Sequence, residues 1–281
     1  MDLPVPIYPC LWHDTQAHET AQYYVDLFVQ ARILDENPMV TSFEIYGKRV
    51  IGLNGGPSFT INPSISLFVV VPEREELDRL WNGLMDGGKA LIPLDAYPWS
   101  ARYGWVSDRF GMTWQLMLGD EHHPRPALTP SLLFTGQRFG QAEAFIHRHS
   151  SIFPGSSPGF IQHYAPGDPH EGKVLFSEFT LRGTPLIAMD GPGEHDYTFN
   201  EGVSFVVECD TQEEIDTYWN AITMDGKESM CGWCTDQFGI SWQIVPTRLG
   251  EWMNDPVHGE ATRQALMSMK KLVIAELRPG G

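Results

Sequence analysis

Cysteine is scarce in this chain, basic residues are outnumbered, and long apolar runs are absent. Four cysteines in 281 residues suit a reducing compartment rather than a disulfide-stapled secreted scaffold. Lys and Arg number 19 against 36 Asp and Glu, a formal net charge of −17. Nucleic acid and anionic lipid both need a basic face, so neither is an expected partner. The acidic surface reads first as a source of solubility. No apolar run approaches the roughly 18 residues of a membrane span. The amino terminus, MDLPVPIYP, carries an acid where a secretory leader carries basic residues, and no apolar core follows. A cytoplasmic protein is expected. No P-loop, nucleophile elbow or Ser-His-Asp order is visible either.

What the chain does have is a repeat. GWVSDRFGMTWQLM (104–117) and GWCTDQFGISWQIV (232–245) are identical at seven of fourteen positions. EREELDRLWNGLMDGGK (73–89) pairs with TQEEIDTYWNAITMDGK (211–227), ISLFVVV (65–71) with VSFVVEC (203–209), and LNGGP (53–57) with AMDGP (188–192). More weakly, residues 8–28 pair with 129–149. The blocks keep their order, so the chain reads as two copies of one domain, 1–122 and 123–281. The linker between them is GDEHHPRPA (119–127).

Each copy yields the same coarse element order. IYPCLWH is a strand. Asp14 or Thr15 then caps a helix with Ala17, Ala21, Tyr24, Val25 and Phe28 on one face. MVTSFEIYGKRVIGLN alternates and turns at Gly47-Lys48, which makes a hairpin. ISLFVVV is a buried strand, and EREELDRLWNGLM is an amphipathic helix ended by Gly87-Gly88. GWV, a turn over Asp108 to Gly111 and the strand MTWQLML follow. ATRQALMSMKKLVIAELR closes the chain as one long helix.

LWHDTQAHETAQYYVDLF, LNGGPSF, SISLFVV, EELDRLW, DRFGMTWQLM and the closing MSMKKLVIAEL resemble the PhnB-like family, often labelled 3-demethylubiquinone 3-methyltransferase. That family is a branch of the vicinal oxygen chelate superfamily, with glyoxalase I, extradiol dioxygenases and bleomycin-resistance proteins. The resemblance implies an α+β fold of two tandem domains, each of paired βαβββ modules curling into a half-barrel, plus a C-terminal helix. It also implies that single-copy relatives pair to complete their half-barrels, so this chain supplies an internal pseudo-dimer. A further homodimer stays open. The methyltransferase label meets a physical objection. A doubly wound methyltransferase receives its cofactor on a glycine-rich turn between strand and helix, and no E/D-x-G-x-G occurs here.

Superfamily metal ligands come from a first, a middle and a last strand. The matching places here hold Ile7 and Pro9 (Leu128 and Pro130 in the second copy), Ser66 and Ser204, and Gln115 and Gln243. These are poor divalent-metal ligands. The cofactor expectation is therefore none, with a bound divalent metal as the alternative. If Trp114 faces the helices, alternation puts Gln115 toward the cavity.

The candidate ligand-lining residues are His13, Asn54, Ser66, Gln115, Ser204 and Gln243. Each has a plainer reading: a strand-end histidine, a turn asparagine, amides bonded across a barrel. Cys231 and Cys234 lie on extended chain without a second pair and read as neither redox nor zinc site. The pairs His122/His123 and His147/His149 read as surface. Three functions follow. The first is metal-free small-molecule binding, for which abundant Trp and Tyr offer stacking surfaces. The second is a metal-dependent lyase, isomerase or dioxygenase. The third is an interaction module with closed cavities. One working cavity of two is expected, and which one is not legible.

Overall fold

The computed structural model describes residues 5–121 and 125–278. The pair His122/His123, and with it the boundary between copies, lies outside the described residues. Each copy contains two βαβββ modules. The first copy has β1 (Tyr8–His13), α1 (Ala17–Leu27), β2 (Ala31–Glu36), β3 (Val40–Ile45) and β4 (Lys48–Asn54). It continues with β5 (Ile65–Val71), α2 (Arg74–Met85), β6 (Lys89–Tyr97), β7 (Ser100–Ser107) and β8 (Thr113–Leu118). The second copy has β9 (Ala127–Phe134), α3 (Ala142–Ile152), β10 (Ser157–His163), β11 (Val174–Leu181) and β12 (Thr184–Asp190). Then come β13 (Val203–Cys209), α4 (Gln212–Thr223), β14 (Lys227–Glu228), β15 (Trp233–Thr235) and β16 (Ser241–Pro246). Strands β2 and β6 are absent from the sequence reading because they are sheet edges. None of their side chains is fully buried, so they carry no clean apolar alternation.

The modules assemble across the copies. One eight-stranded sheet runs β14-β15-β16-β13-β1-β4-β3-β2, the other β10-β11-β12-β9-β5-β8-β7-β6. At the centre of the first sheet β1 pairs antiparallel with β13, Cys10 opposite Ser204. At the centre of the second β5 pairs with β9, Ser66 opposite Ser131. Each sheet thus takes one module from each copy, and the inner edges that a single copy would leave unpaired cover each other. This is the internal pseudo-dimer in its physical form.

Helices α1 to α4 lie between the sheets and share one continuous core with both, including Tyr24, Leu80, Trp114, Phe145, Trp219 and Trp242. The helix-free faces carry separate clusters and look away from each other.

The repeated Asp-x-Phe-Gly turn builds this core. Asp108 is buried and accepts hydrogen bonds from the backbone N–H of Phe110 and Met112, the Trp114 indole (2.8 Å) and the Tyr24 hydroxyl (2.6 Å). Asp236 repeats the pattern with Phe238, Ile240 and Trp242. Gly111 and Gly239 close the turns at positive φ, where a side chain is disfavoured. Where the first copy offers Tyr24, the second offers His149, its Nε2 3.1 Å from Asp236 and its ring stacked on Trp242. His149 is therefore core, not surface: α3 turns it inward at the position that Tyr24 holds on α1.

Two further expectations are corrected. Neither Asp14 nor Thr15 caps α1; Asn54, at the end of β4, reaches across and accepts from the Ala17 N–H at 2.8 Å. The closing helix is interrupted. Helices α5 (Leu249–Met253), α6 (Gly259–Ser268) and α7 (Ile274–Leu277) flank an extended stretch whose Met269 and Lys270 carbonyls accept from the N–H of Cys231 and Gly232. Burying Leu272 against Gly232 requires that break. Among the described residues no helix is long and apolar enough to cross a membrane.

Candidate functional site

The helix-free face of the first sheet is built from alternate residues of β1, β4, β13 and β16. Tyr8, Cys10 and Trp12 point to this face, while Ile7, Leu11 and buried His13 lie on the alternate parity. Sequence reasoning put the first-strand place at Ile7 and Pro9, one residue off. Almost every residue of β1 is buried on one side or the other, so apolar pattern could not set its parity.

The floor of this face is polar. Gln243 donates to the Ser204 hydroxyl at 3.0 Å, and Cys10 contacts both. Burial pushes the Cys10 thiol up to about 11, against the opposing pull of those two hydrogen bonds, so it is no thiolate nucleophile at neutral pH. At one end Glu208 accepts from the Tyr8 hydroxyl (2.5 Å) and from Arg49 (2.9 Å), whose guanidinium lies 4.4 Å over the Tyr8 ring. Burial first, then the Glu208 charge, holds the Tyr8 phenol well above its usual range. At the other end Trp12 meets Trp233 and Phe59 edge-on, with ring centroids 5.7 and 4.9 Å apart. The NGGP turn holds Trp12 there. Gly56 accepts from the indole N–H at 2.7 Å, and a Cβ on Gly55 would collide with the ring. Trp12, Ile51, Leu53, Trp233, Gln243 and Val245 all remain partly exposed.

The second sheet repeats the plan with a different outcome. Gln115 donates to Ser66 (2.8 Å) and, at a longer 3.4 Å, to Ser131, and it accepts from the Tyr103 hydroxyl at 2.7 Å. Gln115 is only 2% exposed. Phe68, Tyr103 and Ile187 cover this floor, packed by Met117, Phe176 and Met189.

The six expected residues therefore divide. Ser66 joins Gln115 on one sheet, and Ser204 joins Gln243 on the other. Asn54 is spent on α1, as its counterpart Asp190 is on Gly140 and Ala142 at the start of α3. His13 stands apart in the core, its Nε2 without a hydrogen-bond partner, and burial lowers its pKa to about 4. Tyr8, Cys10, Trp12, Arg49, Glu208 and Trp233 were missed. No apolar alternation marked the three on β1, because that strand is buried on both faces.

The fold's metal chemistry does not fit these donors. The floors offer amides, hydroxyls and a protonated thiol. Among the described residues no group of three or more His, Cys, Asp or Glu is placed to hold a metal ion.

Two hollows lie where the copies meet. A shallow groove of about 530 Å³ separates loop 60–63 from loop 196–200, which Asn62 and Asn200 brace to each other. A cleft of about 260 Å³ lies beyond the Tyr8–Arg49 end of the first sheet.

Comparison with known proteins agrees with this geometry. The family model described as 3-demethylubiquinone-9 3-methyltransferase matches residues 6–117 and again 126–245. No curated protein is significantly similar. Glyoxalase I of Zea mays shares the fold at a TM-score of 0.54, with 12% identity over 86% of this chain and 92% of that one. A PhnB protein of Bacillus cereus, described with the same methyltransferase activity, is 28% identical over 40% of this chain and 98% of its own, at a TM-score of 0.38. A protein from Staphylococcus aureus is 31% identical over 43% of this chain and 100% of its own, at a TM-score of 0.20. The chain belongs to the 3-demethylubiquinone-9 3-methyltransferase family, in a tandemly duplicated form.

Proposed function

We propose that this member of the family binds a small planar molecule on the helix-free face of its first sheet and transfers no methyl group. The ligand would lie over the Cys10–Ser204–Gln243 floor, with a ring against Trp12 and Trp233. One observation carries the reading: the Gln243 floor is left partly open to solvent, whereas the Gln115 floor is covered by the protein's own side chains. Two half-exposed indoles beside an amide supply stacking surface and a directional hydrogen bond, which is how small-molecule sites combine affinity with orientation.

The absence of methyl transfer is argued from the connections. Asp14, Thr15 and Gln16 join β1 to α1 without a glycine, and Asn54-Gly55-Gly56-Pro57 leads to a strand rather than a helix. Neither these nor the β9–α3 connection, where a single 3-10 turn (Gly136–Arg138) separates Gly136 from Gly140, makes the one tight glycine turn onto a helix N-terminus that receives a nucleotide-like cofactor. The two copies, 1–122 and 123–281, work as one unit, because the proposed floor takes Cys10 from one and Ser204 and Gln243 from the other. Four unpaired cysteines and a membrane-averse acidic surface support a cytoplasmic setting.

The test is a screen of planar aromatic compounds by tryptophan fluorescence and backbone-amide NMR. Saturable binding should shift the amides of Cys10, Ser204 and Gln243. Gln243→Ala should weaken it by about tenfold, the worth of one well-made hydrogen bond, and Gln115→Ala should leave it unchanged. Binding that follows Gln115 instead, or transfer of labelled methyl from a sulfonium donor to any hit, would overturn the reading.

A further inference from the structure

The cleft at the meeting of the copies has two unlike walls. Residues at its rim correspond by the repeat: Gly47-Lys48-Arg49 from the turn between β3 and β4 face Gly183-Thr184-Pro185 from the turn between β11 and β12, and Ile7 and Pro9 face Leu128 and Pro130. The first copy places two cations where the second places Thr184 and Pro185. Among the described residues that line it there is no Asp or Glu. In a chain with 36 acidic residues and a net charge of −17, this leaves Lys48 as the unbalanced charge of that wall, Arg49 being paired with Glu208.

The cationic wall is rigid. Arg49 is fixed by Glu208 at 2.9 Å, by the Ser42 hydroxyl at 3.1 Å and by the Tyr8 ring, and among the described residues its second terminal nitrogen makes no hydrogen bond. Lys48 is exposed and makes no ion pair among the described residues. The opposite wall is stiff as well. Pro130 and Pro185 have little rotamer freedom to lose, and Thr184 is tied across the seam to the Ile7 carbonyl at 2.8 Å. A preorganised guanidinium facing an apolar wall suits a carboxylate on an apolar body. At about 260 Å³ the cleft falls just below drug-sized sites, which leaves room for one ring or a short acyl chain.

We infer that this inter-copy cleft is a second binding site, for a small organic carboxylate whose anionic end meets Arg49 and Lys48 and whose body lies against Leu128, Pro130 and Pro185. It adjoins the first sheet's helix-free face through Tyr8 and Arg49 but shares neither Gln243 nor the indoles with it, so either site can be tested without the other. The probes are benzoate and hexanoate, each set against its neutral amide, followed by amide NMR on the full chain. Benzoate should shift Gly47, Lys48, Gly183 and Thr184 saturably, while benzamide should not. Lys48→Gln, an exposed change that leaves the fold intact, should weaken benzoate several-fold. Arg49→Gln should weaken it at least about tenfold, since a charge-assisted hydrogen bond is lost. Gln243→Ala should leave it unchanged. Equal binding of benzamide, benzoate shifts centred on Cys10 and Gln243, indifference to Lys48→Gln and Arg49→Gln, or no saturation would each overturn the inference.

Discussion

Phe68, Met117 and Tyr103 stand on or beside the second sheet's helix-free face where the repeat gives the first Val206, Val245 and Cys231. Each exchange adds volume to the second face. Leu133 and Thr129 stand there in place of Trp12 and Tyr8, and Val70 and Pro185 in place of Glu208 and Arg49. So the duplicated plan keeps its Ser–Gln floor and one facing indole (Trp105, Trp233) twice, but closes one copy with hydrocarbon and equips the other with a second indole, Trp12, and an ion pair. The difference teaches that one motif inside a repeat can be sealed in one place and left open to solvent in the other. What separates the two is the size of the neighbours, not the motif.

The comparison can be broken first at Phe68. Phe68→Ala should cost about 3–5 kcal/mol, as large-to-small core changes do, and the vacated face should then take small apolar ligands that wild type refuses. Urea unfolding with and without benzene or indole checks both halves. A cost below about 1 kcal/mol would mean that the second face is not packed as described.

The next contrast is between His13 and its counterpart Phe134. The folded-state pKa of His13 lies near 4, below its ordinary value of about 6.5. The unfolded chain therefore binds the proton more readily. Stability from this group is intact above pH 6.5, falls as pH drops toward 4, and is fully lost below that, a total of about 3 kcal/mol. His13→Phe should flatten this acid limb and leave neutral-pH stability unchanged or raised, because an unpartnered buried nitrogen is removed. Unfolding free energies measured from pH 7.5 to 3.5 decide it; an unchanged slope in the variant would place His13 in water.

The two glutamines sharpen the contrast further. Gln115→Ala strands the buried hydroxyls of Tyr103 and Ser66 and should cost about 1–3 kcal/mol. Gln243→Ala, at a partly exposed position, should cost less than about 1 kcal/mol. Equal losses would show that both floors are closed in solution. A similarly small effect on stability is expected from Trp12→Leu, which copies the second face's Leu133. It should shift stability by about 1 kcal/mol, since the indole is only half buried, while abolishing the fluorescence response to planar ligands.

Much of this was legible in residues. The repeat gave two copies, the Asp-x-Phe-Gly-x-x-Trp-Gln sentence gave turn, core tryptophan and opposite-facing amide, and both survive in atomic form as Asp108 with Trp114 and Asp236 with Trp242. The parity of β1 was not legible, because a strand buried on both faces shows no alternation. His149 was misplaced because a helix-end histidine looks alike whether it faces solvent or the carboxylate of a turn 87 positions away.

The sequence by itself determined which segments recur and which local element each forms, since periodicity and turn chemistry act over a few residues. It also determined the charge balance. Only the tertiary structure decided that each sheet draws one module from each copy, that Cys10 meets Ser204 and Gln243 while Ser131 meets Ser66 and Gln115, and that one floor is covered and the other open. Those outcomes depend on strand pairing between residues some 190 apart, as Cys10 with Ser204, and on the summed volume of neighbours from four strands. Neither quantity is local to any stretch of chain.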